Sequence, residues 1–217
     1  MKTLIVGDIH NEFAYLNDLI NKKQPDLLIC CGEFGYWPNI PWAAQFTNIK
    51  PQNSKILWCE GNHEDFWSLQ RRETDELVPN VIYMPRGSTY TLPDGRVIMF
   101  FGGANSIDKN IRTLGVDWFP EEVITQKDLY NLPDIKVDIF ITHTCSLEIK
   151  NIIIPRDHLK ENDPSYNALS ELWNIYRPSL WYFAHFHFCK TGYQGDTKWT
   201  CLGAAGMDTK WWVWLPD

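Results

Sequence analysis

The sequence predicts an α/β (α+β) fold in which two mixed β-sheets lie between flanking helices, a four-layer αββα sandwich. In the first third of the chain, apolar runs rich in Ile, Leu and Val alternate with helix-like stretches, as in a parallel sheet covered on both faces. From residue 81 several strand-like runs follow one another, and Pro93-Asp94-Gly95 is a strong hairpin signal, which indicates a second sheet. A length of 217 residues suits one domain, so we expect residues 1–217 to share a single fold.

Apolar spacing predicts the elements of the first half. Residues 3–6 form a continuous apolar run typical of a buried strand, and a predicted helix follows over residues 11–23 until Pro25 stops it. The apolar side chains that share one face of this helix are Phe13, Leu16, Leu19 and Ile20. The same criteria predict a strand at 26–31, a helix at 42–48, a strand at 55–59 and a helix at 65–77.

The second half is richer in short strands. Strands are predicted at 81–84, 89–92, 96–101, 137–143 and 180–183, with helices from Thr125 and from Asp163-Pro164 to the residue before Pro178. Runs at 198–202 and 211–215 are expected to complete the second sheet. Residues 102–125 are too long for a simple connector, and we interpret them as a functional loop bordering the site rather than a disordered insert.

Composition narrows the classes of partner. A formal net charge of -7 argues against a broad basic face for duplex nucleic acid, although a short or terminal nucleotide is still compatible as a substrate. No apolar run approaches the ~20 residues of a membrane span, and the first residues show no secretory leader, so we expect a cytoplasmic protein with no membrane partner. The six cysteines form no C-x-x-C pair and are expected to be buried thiols.

Five of the six histidines lie in four short segments, GDIH at 7–10, GNHE at 61–64, ITH at 141–143 and AHFH at 184–187. Each segment follows an apolar run, so each is expected at the carboxyl end of a buried strand. Asp8 and His10 are one residue apart, which places both side chains on the same face of an extended backbone, and His185 and His187 repeat that spacing. These distant segments are therefore expected to meet at one rim.

A carboxylate, an amide oxygen and several imidazoles form a mixed oxygen and nitrogen donor set. That set suits manganese, iron, zinc or nickel better than calcium, and it lacks the thiolate of a typical structural zinc site. Two cations about 3.5 to 4 Å apart stabilise the attacking and leaving oxygens of a phosphoester, and a water that bridges them loses its proton near neutral pH. The pattern therefore favours a hydrolase that needs no Ser or Cys nucleophile.

These ordered motifs resemble the calcineurin-like metallophosphoesterase superfamily. Its pattern is Asp-x-His, Gly-Asp, Gly-Asn-His-Asp or Glu, a lone His and Gly-His-x-His, and the order and approximate spacing match from Asp8 to His187. Five motifs in order are far more specific than any one of them. The GGANSIDKNIR and DWFPEE stretch is also similar to a segment of small bacterial and phage members.

The resemblance implies two divalent metal ions, with manganese the first choice, and a role for each motif residue. One ion would be held by Asp8, His10, Glu33 and His187, and the other by Glu33, Asn62, His143 and His185, with Glu33 as the bridge. His63 would donate a proton to the leaving oxygen or bind the phosphoryl group, with Glu64 or Asp65 available to orient it.

The chain departs from the family pattern at two positions. Glu33 stands where the family has Asp, and its extra methylene changes where the bridging oxygens reach; Ala184 stands where the family has Gly. The first substitution leaves open an alternative, a binding or regulatory module whose catalysis is weakened. That alternative predicts poor metal occupancy, and activity that returns in Glu33→Asp.

Four further residues are candidates for contacts with substrate. Trp37 and Trp118 lie in loops expected to border the site, where they would stack on a base or simply pack in the core. Lys109 and Arg112 would clamp a second phosphate or terminal group, or carry solvated loop charges. His158 is interpreted as an exposed loop residue. We expect a phosphodiesterase acting on a small nucleotide or an oligonucleotide end, with a phosphomonoesterase as the alternative and the oligomeric state open.

Overall fold

The computed structural model describes residues 1–40, 45–154 and 163–217. Within these ranges the strands are β1 (Thr3–Val6), β2 (Leu27–Cys30), β3 (Lys55–Trp58), β4 (Glu76–Val78), β5 (Val81–Tyr83), β6 (Thr89–Thr91), β7 (Val97–Phe101), β8 (Ile139–Thr142), β9 (Leu180–Phe183), β10 (Lys190–Gln194), β11 (Thr197–Cys201) and β12 (Trp212–Trp214). The α-helices are α1 (Phe13–Lys23), α2 (Phe66–Gln70), α3 (Leu147–Ile153) and α4 (Pro164–Tyr176).

These strands form two six-stranded sheets, in the orders β12-β1-β2-β3-β5-β4 and β10-β11-β9-β8-β7-β6. In the first sheet β1, β2, β3 and β5 are parallel, and β12 and β4 are antiparallel at the edges. In the second sheet β7, β8, β9 and β11 are parallel, and β6 and β10 are antiparallel at the edges. The prediction of two mixed sheets is therefore confirmed.

Three hydrophobic clusters separate the layers. Because successive strand residues point to opposite faces, Leu4 of β1 packs in a cluster with α1, whereas its neighbour Ile5 packs in the cluster that joins the two sheets. That middle cluster includes Phe100 of the second sheet, and the next residue, Phe101, packs in the cluster that contains Leu169 of α4. The order is helix, sheet, sheet, helix, as the sequence predicts.

Several predicted elements differ from the observed ones. The helix predicted at 65–77 is only the five residues of α2, and the chain then forms the edge strand β4. The run at 211–215 contributes β12 to the first sheet, not to the second as predicted, because it pairs with β1. The helix predicted from Thr125 is a short 3-10 helix at Gln126–Leu129, although Thr125 and Asp128 form a capping box.

The helix predicted at 42–48 is described in part. Gln45–Asn48 form a 3-10 helix, and the start of that predicted helix and His158 lie outside the described residues. Helix α3 and strand β10 are additions that the sequence patterns did not predict. No helix in the described part of the chain is long and apolar enough to cross a bilayer.

The cysteines are free thiols, and the prediction that they are buried is confirmed for five of the six. Cys189 is exposed and the other five are buried. Burial raises the pKa of the Cys30 and Cys31 thiols well above the ordinary value, which keeps them neutral. They therefore serve as small apolar side chains.

Candidate metal centre and active site

The parallel strands of both sheets end at one edge of the sandwich, and the histidine-containing segments follow those ends. Asp8 and His10 follow β1, Glu33 follows β2, Asn62 and His63 follow β3, His143 follows β8, and His185 and His187 follow β9. β1, β2 and β3 are neighbours in one sheet, and β8 and β9 are neighbours in the other. Distant segments of the chain are thus brought to a common site.

One set of donor atoms surrounds Asp8. Single ligand atoms of Asp8, His10 and His187 lie within 4.8 Å of one another. His187 Nε2 is 3.3 Å from Asp8 Oδ2 and 3.0 Å from His10 Nε2. His10 Nδ1 is 3.4 Å from Glu33 Oε2. A carboxylate and two imidazoles therefore converge beside a second carboxylate.

A second set converges on His143. Its Nε2 atom lies 2.9 Å from Asn62 Oδ1, 3.1 Å from His185 Nδ1 and 3.4 Å from Glu33 Oε1. Glu33 thus presents one carboxylate oxygen to each set, since its other oxygen faces His10. The structure brings together all seven side chains for which the sequence suggested a metal-binding role.

The backbone at this site is unusual. His10, Glu33, His185 and His187 have positive φ values of 49°, 46°, 68° and 54°, in the left-handed region. A non-glycine residue in such a conformation costs on the order of 1–3 kcal/mol and persists where the surroundings over-determine it, often at functional sites. Ala184 is not left-handed, so its missing glycine costs little there.

Two glycines permit the close packing of the ligand-bearing loops. A Cβ atom on Gly32 would lie 2.4 Å from His143 Nδ1, and one on Gly61 would lie 2.4 Å from the Glu33 backbone nitrogen. Such approaches are shorter than real Cβ contacts, so a side chain at either position would push the loops apart. The GE and GN motifs therefore keep these glycines for steric reasons.

Burial and neighbouring charges shift the pKa values of the site in opposite directions. Burial raises the pKa of Asp8 well above its ordinary value, and burial lowers that of His185 well below its own. Burial alone would raise the pKa of Glu33, but His63 and His143 hold it below its usual range. For His143, the opposing carboxylates outweigh burial and raise the pKa to about 9. Bound protons thus offset the negative charge of the carboxylates, which a bound cation would otherwise neutralise.

The residues present fit divalent cations. Glu33 Oε2 is buried and has no hydrogen-bond donor among the residues that the structure describes, which is costly for a carboxylate unless a positive group occupies the space before it. The donor atoms around it are carboxylate oxygens, an amide oxygen and imidazole nitrogens, the set expected for manganese, iron, zinc or nickel. The sites themselves are therefore chemically suited to metal.

His63 lies at the border of this cluster. Its ring is 6.1 Å from the ring of His10, and its backbone N–H donates to Glu33 Oε1 at 3.0 Å. The Arg112 guanidinium contacts both ring nitrogens, with Nη2 2.9 Å from His63 Nε2. Burial lowers the pKa of His63, Glu33 opposes that shift and Arg112 adds to it. Asp108 Oδ2 holds the same Arg112 nitrogen at 2.8 Å.

Glu64 and Asp65 make hydrogen bonds with partners other than His63. The fully buried Glu64 carboxylate accepts the backbone N–H groups of residues 34–36 at 2.5 to 3.2 Å, so it holds the loop that carries Glu33. Burial and the Glu33 charge raise the pKa of Glu64 to about 8. Asp65 caps α2 by accepting the Ser68 N–H at 2.9 Å. The interpretation that they orient His63 is therefore corrected: Arg112 makes that contact.

The four candidate substrate residues separate into two pairs. Arg112 and Trp37 line a cavity of about 520 Å³ beside the cluster, although Trp37 is only 9% exposed and packs near Phe119. The exposed Lys109 bonds to Asn105 Oδ1 at 3.1 Å, and Trp118 donates to Glu122 Oε1 at 3.1 Å. Neither Lys109 nor Trp118 lines the cavities described beside the cluster.

Ser106 and Glu122 are site residues that the sequence analysis missed. Asn62 Nδ2 donates to Ser106 Oγ at 3.0 Å, and Ser106 Oγ donates to Glu122 Oε2 at 2.9 Å. This chain of bonds turns the Asn62 amide so that its oxygen faces His143. Burial raises the pKa of Glu122 to about 7. The signal available in the sequence was only that residues 102–125 border the site.

A second cavity, of about 500 Å³, lies on another side of the cluster. The two cavities share His10, Glu33, His63 and Asp108. Beyond those residues, the first is lined by residues that include Trp37, Ile40, Ile111, Arg112 and Val116, and the second by residues that include Lys150, Ile154, Tyr166 and Phe186. The candidate metal centre is therefore accessible from two directions.

Two sheets pack against each other here, and their parallel strands present carboxylates and imidazoles at a shared edge. This arrangement is typical of one class of proteins, the metal-dependent phosphoester hydrolases. The chain belongs to the calcineurin-like phosphoesterases, since the model of that family, described as "Calcineurin-like phosphoesterase", matches residues 1–189. The resemblance seen in the sequence is thereby confirmed. Members of this family generally use divalent metal ions.

Curated relatives share part of their length with this chain. It is 27% identical over 131 residues to CWF19-like protein 1 of Pongo abelii, an alignment that covers 57% of this chain and 24% of that protein. It is 24% identical over 232 aligned positions to the lariat debranching enzyme of Homo sapiens, covering 86% of this chain and 42% of that protein. The chain thus spans less than half of either relative.

Solved structures share the fold. The protein TT1561 of Thermus thermophilus matches with a TM-score of 0.57 and 16% identity over 94% of this chain and 89% of that one. The phosphopantetheinyl hydrolase PptH from Mycobacterium tuberculosis matches with a TM-score of 0.56 and 15% identity over 100% and 96% of the two chains. At these identities the likeness is one of architecture.

Proposed function

We propose that the protein is a phosphodiesterase with a dinuclear metal centre that acts on a small nucleotide or an oligonucleotide end. The observation that carries the proposal is the arrangement of two donor sets that share the Glu33 carboxylate, with Asp8 in one set and His143 in the other. Residues 1–217 would act as one catalytic domain, with residues 102–125 as the loop that completes the site. That loop supplies Arg112 and Ser106 to the site.

One ion would be held by Asp8, His10, Glu33 and His187, and the other by Glu33, Asn62, His143 and His185. Manganese is the first choice, with iron, zinc and nickel as alternatives, because the donors are oxygen and nitrogen atoms. When bound, such ions supply Lewis-acid stabilisation of phosphate oxygens and make water a stronger nucleophile near neutral pH.

His63 is proposed as the residue that donates a proton to the leaving oxygen. It lies beside the donor sets, with its ring 6.1 Å from that of His10, and it is positioned by its backbone bond to Glu33. Arg112 contacts its ring nitrogens in this arrangement, so an incoming phosphate oxygen would compete for the guanidinium. Arg112 would then bind the phosphoryl group while His63 is released for proton transfer.

The shape of the site supports a diester. A diester carries a substituent on each side of phosphorus, and cavities of about 500 and 520 Å³ flank the donor sets, each within the size range of small-ligand pockets. Trp37 and Ile40 line one of them, where an aromatic or apolar substituent such as a base would pack. A monoester would leave one of these spaces unused.

The test compares esters and metals. Metal-free protein is reconstituted with Mn²⁺, Ni²⁺, Zn²⁺ or Mg²⁺ and assayed with bis(4-nitrophenyl) phosphate and with 4-nitrophenyl phosphate. We expect metal-stimulated turnover, fastest with Mn²⁺, and higher kcat/KM for the diester. Turnover of the monoester alone would replace the diesterase with a phosphomonoesterase. No stimulation by any metal, together with poor metal retention, would favour the weakened binding module.

A further inference from the structure

Lys150 of α3 is a buried lysine at the active-site cavity. Its relative exposure is 3%, yet it lines the cavity of about 500 Å³ that also reaches Asn62, His63 and His185. Lysine is almost never fully buried unless its charge is paired, because desolvation of an ammonium is unfavourable. The position of this side chain therefore needs an explanation that the fold alone does not provide.

The ammonium of Lys150 has no carboxylate partner in the described part of the chain. Among the residues that the structure describes, no Asp or Glu oxygen lies within 4 Å of Nζ and no hydrogen bond is made by it; its neighbour is the Tyr166 ring, with Nζ 5.4 Å from the centroid. Arg86, another largely buried cation, differs sharply: its Nε is 2.9 Å from Glu60 Oε1, and its Nη1 is 3.2 Å from Asp128 Oδ1. Lys150 thus offers its donors to the cavity.

We propose that Lys150 binds a second phosphate group of the substrate, separate from the phosphate that is hydrolysed at the metal centre. This inference rests on the proposed function and names the substrate class more closely: a nucleotide phosphodiester that carries an additional terminal phosphate. An ammonium provides three donors and acts as a point charge for phosphate. Ile154 and Phe186 line the same cavity, and apolar walls strengthen such an attraction because they lower the local dielectric.

The charges that line the other cavity explain why the second phosphate would bind at Lys150. Both cavities are lined by Asp108, but the other cavity is also lined by Asp117, and its cation, Arg112, is already held by Asp108 at 2.8 Å. A second phosphate there would meet the additional carboxylate of Asp117 and no unpaired lysine among the described lining residues, whereas the apolar Trp37 and neighbouring side chains suit an uncharged substituent. The substrate would therefore lie with its charged end toward Lys150 and its uncharged end toward Trp37.

The kinetic test uses a pair of chromogenic diesters, thymidine 5'-(4-nitrophenyl phosphate) with and without a 3'-phosphate. We expect the wild-type protein to have a KM at least about tenfold lower for the 3'-phosphorylated ester, the gain of one charge-assisted bond. Lys150→Met should raise KM for that ester about tenfold more than for the other, with a smaller change in kcat. Lys150→Arg should restore most of the discrimination.

Lys55→Met is the matched control. Lys55 also lies 5.4 Å from an aromatic centroid, that of Tyr90, but at the amino end of β3, away from the cluster. This variant should keep the wild-type ratio of the two KM values. Equal KM for both esters in the wild-type protein, or an equal rise for both in Lys150→Met, would overturn the proposal and leave Lys150 a purely structural role.

A binding measurement separates this inference from the proposed catalysis. Calorimetric titration with thymidine 3',5'-bisphosphate and thymidine 5'-monophosphate, on metal-free and on Mn²⁺-loaded protein, should show tighter binding of the bisphosphate that is lost in Lys150→Met. If the wild-type protein hydrolyses neither ester but retains this preference, the catalytic proposal fails and the phosphate subsite stands. If Lys150→Met does not fold, Lys150→Gln replaces it, and the wild-type preference remains decisive.

Discussion

Replacement of Glu33 by Asp tests the centre most directly, because Asp is the residue that the family pattern has at this position. In the structure, Glu33 Oε1 accepts the backbone N–H groups of Asn62 and His63, each at 3.0 Å, while Oε2 faces His10 Nδ1 at 3.4 Å. An aspartate is shorter by one methylene, roughly 1.5 Å. From the same backbone position its carboxylate would reach neither set of contacts.

The size of the effect follows from those contacts. Two N–H groups left without an acceptor cost about 1–3 kcal/mol each, so Glu33→Asp should destabilise the metal-free protein by roughly 2–6 kcal/mol. Asp tolerates the positive φ at this position somewhat better than Glu, which offsets a small part of the loss. For a chain of this length, such a loss lowers Tm by at least about 4 °C.

The assay combines thermal unfolding of metal-free protein, metal content after dialysis and diester turnover. Glu33→Gln is the matched control, since it keeps the reach of the side chain and its acceptor oxygen but removes the charge. We expect a lower Tm and lower metal retention in Glu33→Asp, and lower metal retention with a smaller Tm change in Glu33→Gln. A gain in metal content and turnover in Glu33→Asp would refute the reasoning and support the weakened-module alternative.

Three further predictions concern the same centre. His63→Ala should slow diester hydrolysis about 100-fold, the contribution typical of a proton donor, while its metal content measured by mass spectrometry stays near wild type. Asp8→Ala should lose the metal itself. Equal metal loss in both variants would contradict the separate role of His63. The apparent affinity for Mn²⁺ should rise by on the order of tenfold per pH unit up to about pH 9, because the metal must displace the proton of His143. The neighbouring carboxylates raise the pKa of His143 to about 9. A Mn²⁺ affinity that does not change from pH 6 to 8 would disprove this linkage. Ser106→Ala removes the hydroxyl that accepts the Asn62 amide N–H. This variant should weaken metal retention about 10-fold to 100-fold, as is typical when a residue that orients a ligand is lost. Unchanged metal retention would contradict the prediction.

The candidate metal-binding side chains were predictable because each is tied to a local pattern. An apolar run followed within two residues by a carboxylate or a histidine marks the carboxyl end of a buried strand, as at Asp8 and His143. Parallel strands present such ends at one edge, so the donor residues meet whatever the details of their loops. The α/β class and the pair of sheets follow from the same apolar periodicity.

The contacts around that centre depended on long-range packing. No local pattern relates Arg112 to His63, Glu122 to Asn62 through Ser106, or Lys150 to the metal site, because each of these relations joins separate loops or helices. Strand β12 joins the first sheet for a similar reason: its partner β1 lies about 200 residues earlier, and pairing register is a tertiary property. Local sequence specifies side-chain chemistry and periodicity. The residues that surround a buried charge, in contrast, are determined only when the two sheets pack against each other.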